Sequence, residues 1–156
     1  MIVLHAGFSV RPMQESDLDA VLEIENAAQP TPWSRNIFAE GVASGHDCEV
    51  VEKDGQIAGF QVVSRVLDEA HLLNVVIAPA FQRRGLGWAL INRLIERCEE
   101  NDTSIIFLEV RKSNTAARQL YEHIGFNEIG VRRAYYRSAE GREDAILMMM
   151  ELVGHK

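Results

Sequence analysis

Three sets of residues in this 156-residue chain can do chemistry: the run Gln82-Arg83-Arg84-Gly85-Leu86-Gly87, an acid at Glu109, and Asn114 with Tyr121 shortly after it. The run follows an apolar, strand-like segment (Leu72, Leu73, Val75, Val76, Ile77) and Ala78-Pro79-Ala80, and it opens an amphipathic helix. Glycines let backbone approach a ligand closely, and the first amides of a helix have no internal partner, so the segment is a cradle for an anion such as phosphate. Arg83 and Arg84 add positive charge at the end where the helix dipole already favours negative groups. Glu109 ends the run Ile105-Ile106-Phe107-Leu108. A carboxylate at the rim of a core strand reads either as a proton acceptor or as a structural ion pair, here with Arg111, two along on the same face. Tyr121 reads as a proton donor or as core packing with Leu120 and Phe126, and Asn114 as the cap of the helix that follows it.

Known phosphate cradles separate on their fixed positions. A nucleotide P-loop requires Lys-Ser or Lys-Thr after its last glycine, and neither follows Gly87. A dinucleotide fingerprint requires a third small residue at 90, where Leu90 stands, although Glu109 lies at about the spacing of a ribose-binding acid, ~20 residues on. A chain of this length is also short for a dinucleotide half plus a substrate domain.

The elements that must position these groups alternate. Phe8 to Arg11 reads as a strand. Ser16-Asp17-Leu18-Asp19 reads as a capping box opening a helix with Leu18, Val21, Leu22 and Ile24 on its apolar face, and Trp33 to Val42 as a second helix. Cys48 to Glu52 and Ile57 to Val66 form a hairpin about Lys53-Asp54-Gly55. The Leu72 strand, a Gly85 to Glu99 helix, a Ser104 to Val110 strand, an Asn114 to His123 helix and strands around Phe126 to Tyr136 and Asp144 to Leu152 complete the order. The mixture predicts one α/β (α+β mixed) domain over 1–156, with a central, mostly antiparallel sheet flanked by helices.

Hydrophobic residues make up 47% and charged residues 25% of the chain, the globular range, and neither a signal peptide nor an apolar run long enough for a bilayer is present, so a cytoplasmic protein without a membrane partner is expected. The net charge of -7 argues against a direct nucleic-acid binder and suits a basic partner, although Arg83, Arg84, Arg111, Lys112, Arg118, Arg132 and Arg133 form a local basic set. Cys48 and Cys98 show no metal-ligand spacing, and Cys98 falls on a helical stripe with Leu90, Ile91 and Leu94 as a buried thiol. None of His5, His46, His71, His123 and His155 pairs with another at a ligand spacing, so no metal is assigned.

Gln82 to Gly87 fits, at every fixed position, the Gln/Arg-x-x-Gly-x-Gly/Ala pyrophosphate loop of acyl-coenzyme A dependent N-acetyltransferases, and the chain resembles the GNAT superfamily over most of its length. Leu108-Glu109-Val110-Arg111-Lys112-Ser113-Asn114-Thr115-Ala116-Ala117 and Leu120-Tyr121-Glu122-His123-Ile124-Gly125-Phe126 are similar to that superfamily's second cofactor and catalytic block. Pro32-Trp33-Ser34, Tyr135-Tyr136 and Gly141-Arg142-Glu143-Asp144-Ala145-Ile146, with the Leu-Glu-Val-Arg run, resemble the bacterial ribosomal-protein-alanine N-acetyltransferases, the RimI family. The resemblance implies a GNAT fold whose middle strands splay, acetyl-CoA as cosubstrate, and an acceptor that is the N-terminal alanine of small-ribosomal-subunit protein eighteen. Residue by residue it implies Glu109 as base, Tyr121 as acid, Val75, Val76 and Ile77 as a pantetheine-binding strand, Arg83 to Trp88 and Asn114 as further cofactor contacts, and Trp33, Tyr135 and Tyr136 as acceptor contacts. Trp88, Ala134 and Arg137 depart from the family pattern, where a small or basic residue, an asparagine and a proline are common. Acetylation of other N-termini or small amines, and a non-catalytic acyl-CoA binding module, are the alternatives; the presence of both Glu109 and Tyr121 favours catalysis.

Overall fold

A computed structural model describes residues 2–138 and 140–152; Met1 and His155 lie outside the described residues, as do the side chains of 2–5. Contacts gather into two units, Met1–Ser64 with Leu73–Ile91, and Arg65–Leu72 with Asn92–Lys156.

The first unit holds β1 (Ile2–His5), β2 (Phe8–Pro12), α1 (Leu18–Ala28), α2 (Arg35–Ala43), β3 (Asp47–Lys53), β4 (Gln56–Val66), the later half of β5 (Glu69–Ile77) and the first turns of α3 (Leu86–Glu100). Strands β1 to β4 pair antiparallel in chain order, and the β3–β4 hairpin closes where the sequence puts Asp54-Gly55. β3 and β4 are buried on both faces at their centres, where Glu49 and Gln61 lie among apolar neighbours and the Gln61 amide donates to Glu49 at 3.3 Å. Cys48, Val50, Phe60, Val62 and Val76 pack on one face with Leu18, Val21 and Ile24 of α1 and Phe38 of α2, while Val51 and Ala58 pack on the other with Phe8, Val10, Leu86 and Leu90. Phe38 and Phe60 meet edge to face at 5.4 Å. Each of the buried Val, Leu, Ile and Phe side chains among these stabilises the unit by roughly 1.5–3 kcal/mol relative to exposure.

Two local expectations shift here. The turn that opens α1 closes at Gln14–Asp17, where the Asp17 carboxylate accepts from the Gln14 N–H at 2.7 Å, two residues ahead of the box at Ser16. Arg11 grips the same carboxylate through both terminal nitrogens (2.8 and 2.9 Å), so Asp17 serves the tertiary structure and the cap at once. Trp33 stands before α2, because Ser34 is the N-cap and its hydroxyl oxygen accepts from the Ile37 N–H.

The second unit holds the start of β5, the rest of α3, β6 (Ile105–Arg111), α4 (Thr115–Ile124), β7 (Asn127–Ser138) and β8 (Gly141–Glu151), with strand order β5-β6-β8-β7. β5 runs parallel to β6 from Glu69↔Ile105 to Leu72↔Leu108, and the other pairings are antiparallel, as expected of a mostly antiparallel sheet. Ile106, Leu108 and Val110 alternate inward along β6. On α3, Leu94 and Cys98 are buried at helical spacing, and Cys48 and Cys98 are both buried thiols outside any disulfide. β7 is bulged: Arg132 opposes Ala145 and Tyr136 opposes Glu143, so three residues face Asp144 alone. Ala134 sits at the bend with φ +53, its N–H held by the Asp144 carboxylate at 2.9 Å.

Candidate active site

In the first unit the expected cofactor strand ends β5. Val76 points into the core beneath α1 and α2, while Val75 and Ile77 pack against the opposite core, so the side chains are committed to packing and the backbone is what remains for recognition. β4 lies close against it: a Cβ on Gly59 would stand 2.6 Å from the Val76 carbonyl oxygen and 2.8 Å from Ile77 Cδ1, which only glycine avoids. The Ala78 N–H donates to the Ala58 carbonyl at 2.8 Å, and the Gln82 amide donates to the Ile77 carbonyl at 3.0 Å, tying the glycine loop to the strand it follows.

The loop itself alternates in handedness, with Arg83 at φ +65 and Gly85 at φ +79 on either side of Arg84. Alternation of this kind turns successive N–H groups into an anion-binding concavity. The α3 ladder begins with the Ala89 N–H donating to the Gly85 carbonyl at 3.0 Å, so the amides of Leu86 and Gly87 precede it. Leu86 anchors the turn in the core, whereas Arg83, Arg84 and Trp88 are exposed. Arg84 lies over the Phe81 ring at 5.4 Å, and Phe81 meets Phe8 edge-on, which fixes the base of the loop. The loop amides and the two arginines thus fit an anion such as a pyrophosphate.

Trp33 is the expected acceptor residue in this unit. It packs on Phe38 at 5.2 Å and lines a cavity of about 610 Å³ with Ile37, Leu73 and His46.

In the second unit Glu109 lies on the face of β6 opposite Leu108 and Val110. Its Oε2 is buried and has no hydrogen-bond partner among the described residues, and its Oε1 is 3.8 Å from Arg132 on β7. Arg111 is engaged elsewhere: its guanidinium donates to the Arg137 carbonyl (2.7 Å) and to Glu143 (3.1 Å), and it lies 4.5 Å from the centre of the Tyr136 ring. Glu109 is thus paired with Arg132, brought from 23 positions along the chain by the β7–β8 pairing. Against burial, which raises it, hydrogen bonds from Ser113 and Arg111 hold the Glu143 carboxyl below its ordinary value.

Tyr121 is buried on α4, edge-on to Phe126 at 5.9 Å, so the packing role read from sequence is real. Its hydroxyl makes no hydrogen bond among the described residues, and burial, followed by the charge of Tyr136, pushes its pKa well above that of a free tyrosine. Tyr136 is pushed up to about 12, by burial first and the Glu109 carboxylate second. Tyr135 and Tyr136 meet at 5.0 Å although neighbours on a regular strand face opposite ways; the bulge brings both rings together. Asn114 is the α4 cap, its side-chain oxygen accepting from Ala117 N–H at 3.3 Å, which leaves its amide nitrogen for a ligand. Of the basic set, Arg118 pairs with Glu128 at 3.6 Å, so with Arg111 and Arg132 it serves the fold. Among the described residues no group of three His, Cys, Asp or Glu gathers at metal-ligand distance.

Sequence reasoning passed over Glu25 and Asn74. Both are buried and hydrogen-bonded to each other at 3.0 Å in the first unit. Glu25 lies seven residues after Leu18 on the stripe Leu18, Val21, Glu25, a spacing that marks the inward face of α1.

The chain is 40% identical over 144 residues to the [ribosomal protein bS18]-alanine N-acetyltransferase of Escherichia coli (strain K12), an alignment covering 92% of this chain and 97% of that protein. The crystal structure of the ribosomal-protein-S18-alanine N-acetyltransferase from Escherichia coli matches with a TM-score of 0.88 at 40% identity, over 94% of this chain and 96% of that one. Arabidopsis thaliana NAA60 in complex with acetyl-CoA shares the fold, with a TM-score of 0.85 at 19% identity over 94% of this chain and 99% of that one. Residues 18–126 match the family model of the GNAT acetyltransferases, and with these relatives the match shows that the chain belongs to the acetyltransferase (GNAT) family.

Proposed function

We propose that the protein transfers the acetyl group of acetyl-CoA directly to the N-terminal alanine of ribosomal protein bS18. The observation that carries this reading is the Glu109 carboxylate: one buried oxygen has no hydrogen-bond partner among the described residues, in a chain 40% identical to an enzyme named for that reaction. A buried acceptor atom left unsatisfied costs stability, and a proton-transfer role explains why it is kept.

The loop amides of Leu86 and Gly87 and the α3 dipole hold the pyrophosphate, with Arg83 and Arg84 adding charge and Asn114 a further donor. The backbone of Val75, Val76 and Ile77 pairs with the pantetheine arm, and one amide is turned to the developing oxyanion. Glu109 takes the proton from the acceptor amine, and Tyr121 donates a hydrogen bond to the departing sulfur. Trp33, Tyr135 and Tyr136 bound the acceptor. Acetyl-CoA supplies the activated carbonyl.

The acceptor's own chemistry favours an N-terminus. At neutral pH an α-amine of pKa about 7.7–8 is ~10% neutral, whereas a lysine near 10.4 is neutral at well under 0.1%, so a single carboxylate base suffices for the first. Net charge of -7 also favours encounter with a basic ribosomal protein. Two peptides test the reading, one with the bS18 N-terminal sequence beginning with alanine and carrying an internal lysine, the other identical but blocked at its N-terminus. Fragment masses are expected to place the acetyl group on the alanine of the first, with almost none on the second. Efficient modification of the blocked peptide overturns the assignment.

A further inference from the structure

Among the described residues of α1, the one buried acid holds a loop rather than a cation. Glu25, 1% exposed, accepts from the backbone N–H of Trp33 at 2.9 Å through Oε2 and from the Asn74 side-chain amide at 3.0 Å through Oε1. Asn74, 8% exposed on β5, in turn accepts from the Gln29 side-chain amide at 3.2 Å. Three hydrogen bonds therefore join both ends of the Gln29–Trp33 connection to the residue immediately before Val75.

Both groups that meet Glu25 are donors while the Asn74 oxygen accepts from Gln29, and in that orientation a residue with two acceptor oxygens satisfies them, whereas a glutamine would set an N–H against an N–H. A buried carboxylate held by neutral donors is expensive in a merely structural joint, since an apolar contact would serve packing at less cost. What the arrangement achieves is direction. It fixes the main chain at Trp33, whose ring then lines the 610 Å³ cavity beside Leu73, the residue that precedes Asn74 on β5.

Resting on the acceptor role read for Trp33 above, we propose that Glu25 and Asn74 are positioning residues that hold the Trp33 wall of the acceptor site against β5, so that acceptor affinity depends on this hydrogen-bond chain while the chemical step and acetyl-CoA binding do not. Loss of the tie lets the connection sample other conformations, and apparent acceptor affinity falls by the fraction of molecules that keep the wall in place.

The test is a set of steady-state measurements on Glu25→Gln, Asn74→Ala and the double variant Glu25→Gln/Asn74→Asp, with the alanine-initiated peptide. The single variants are expected to raise the acceptor KM roughly tenfold, the size of one charge-assisted hydrogen bond, with kcat within about threefold of native and the acetyl-CoA dissociation constant unchanged. The double variant reverses donor and acceptor at the Glu25–Asn74 contact. The introduced amide accepts from Trp33 N–H through its oxygen and donates through its nitrogen to the introduced carboxylate, which still accepts from Gln29. It is expected to recover most of the acceptor KM and the hydrogen-exchange protection of the Trp33 amide. If the single variants fail to fold, the double variant decides alone: a native acceptor KM supports the proposal and a tenfold rise refutes it. Single variants that lower thermal stability without moving the acceptor KM also overturn it. Native protein that leaves the peptide unacetylated instead overturns the acetyltransferase reading itself, so the two failures are distinct.

Discussion

Replacing Glu109 by glutamine separates proton transfer from everything else the side chain does. Glutamine has the same shape, so the packing of β6 against β8, where Glu109 opposes Leu147, is retained. The fold tolerates the change, because the atom altered in character is Oε2, which already has no partner, and what is lost at Oε1 is a long 3.8 Å contact with a half-exposed Arg132. Turnover is expected to fall roughly 100-fold, the lower end of general-base loss, equivalent to about 2.7 kcal/mol of transition-state stabilisation. The pH dependence carries the sharper signature. The variant draws only on acceptor amine that has already lost its proton, which is ~10% at pH 7 and ~90% at pH 9, so its deficit relative to native enzyme should shrink by up to roughly tenfold across that range. Initial rates from pH 6.5 to 9, with acetyl-CoA affinity measured by calorimetry, read both quantities. A variant within threefold of native at pH 7, or Arg132→Ala losing as much activity as Glu109→Gln, refutes the base and makes Glu109 the structural partner of Arg132.

Four further outcomes follow from the geometry. Gly85→Val places a β-branched residue at φ +79 and a side chain in the anion cradle, so acetyl-CoA binding should fall at least 100-fold in calorimetry while the far-UV spectrum is kept. Tyr121→Phe should lower kcat at least tenfold with acetyl-CoA affinity unchanged, and because burial raises the native hydroxyl's pKa, native activity should show no alkaline fall attributable to this group below pH ~10. Ala134→Asn puts a residue that tolerates the left-handed region at φ +53, and should stabilise by about 0.5–1 kcal/mol, raising Tm by ~1–4 °C in a calorimetric scan, whereas Ala134→Val should lower it. Asp17→Asn removes the acceptor of the Arg11 fork, whose hydrogen bonds depress the Asp17 pKa; that stability is complete above the unfolded value near ~3.9 and lost as pH falls through the folded one, so the native-to-variant difference in denaturant midpoint should vanish in acid.

Whatever rests on local periodicity was legible in the sequence. The stripe on α3, the Asp54-Gly55 hairpin, the Asn114 cap and the Gln82–Gly87 loop each depend on residues within a few positions of one another, and all four stand where the sequence places them. The pairing of Glu109 with Arg132 was not legible, because Arg132 reaches it only through the β8 strand that lies between β6 and β7. The contact between the rings of Tyr135 and Tyr136 was hidden for the same reason: strand alternation separates them, and the bulge opposite Asp144 that reunites them is set by cross-strand register. Glu25 is the intermediate case. Helical spacing marks it as inward, but a partner 49 positions away on β5 leaves no local trace.

The raised proton affinity of Tyr121 constrains the part it plays in the proposed reaction. A thiol has an ordinary pKa near 8.5, so complete transfer from a hydroxyl of pKa 10 or more is uphill by at least about 2 kcal/mol, and burial makes it more so. Tyr121 is therefore suited to donating a hydrogen bond as charge develops on sulfur while keeping its own proton, and a high affinity then helps, since it guarantees that the donor is present at every working pH. Tyr136, also raised and flanked by the Glu109 carboxylate and the Arg111 guanidinium, stays neutral over the same range. Tyr136 also acts on Tyr121, so both hydroxyls of this unit keep their protons and proton acceptance falls, in the proposed reaction, to Glu109.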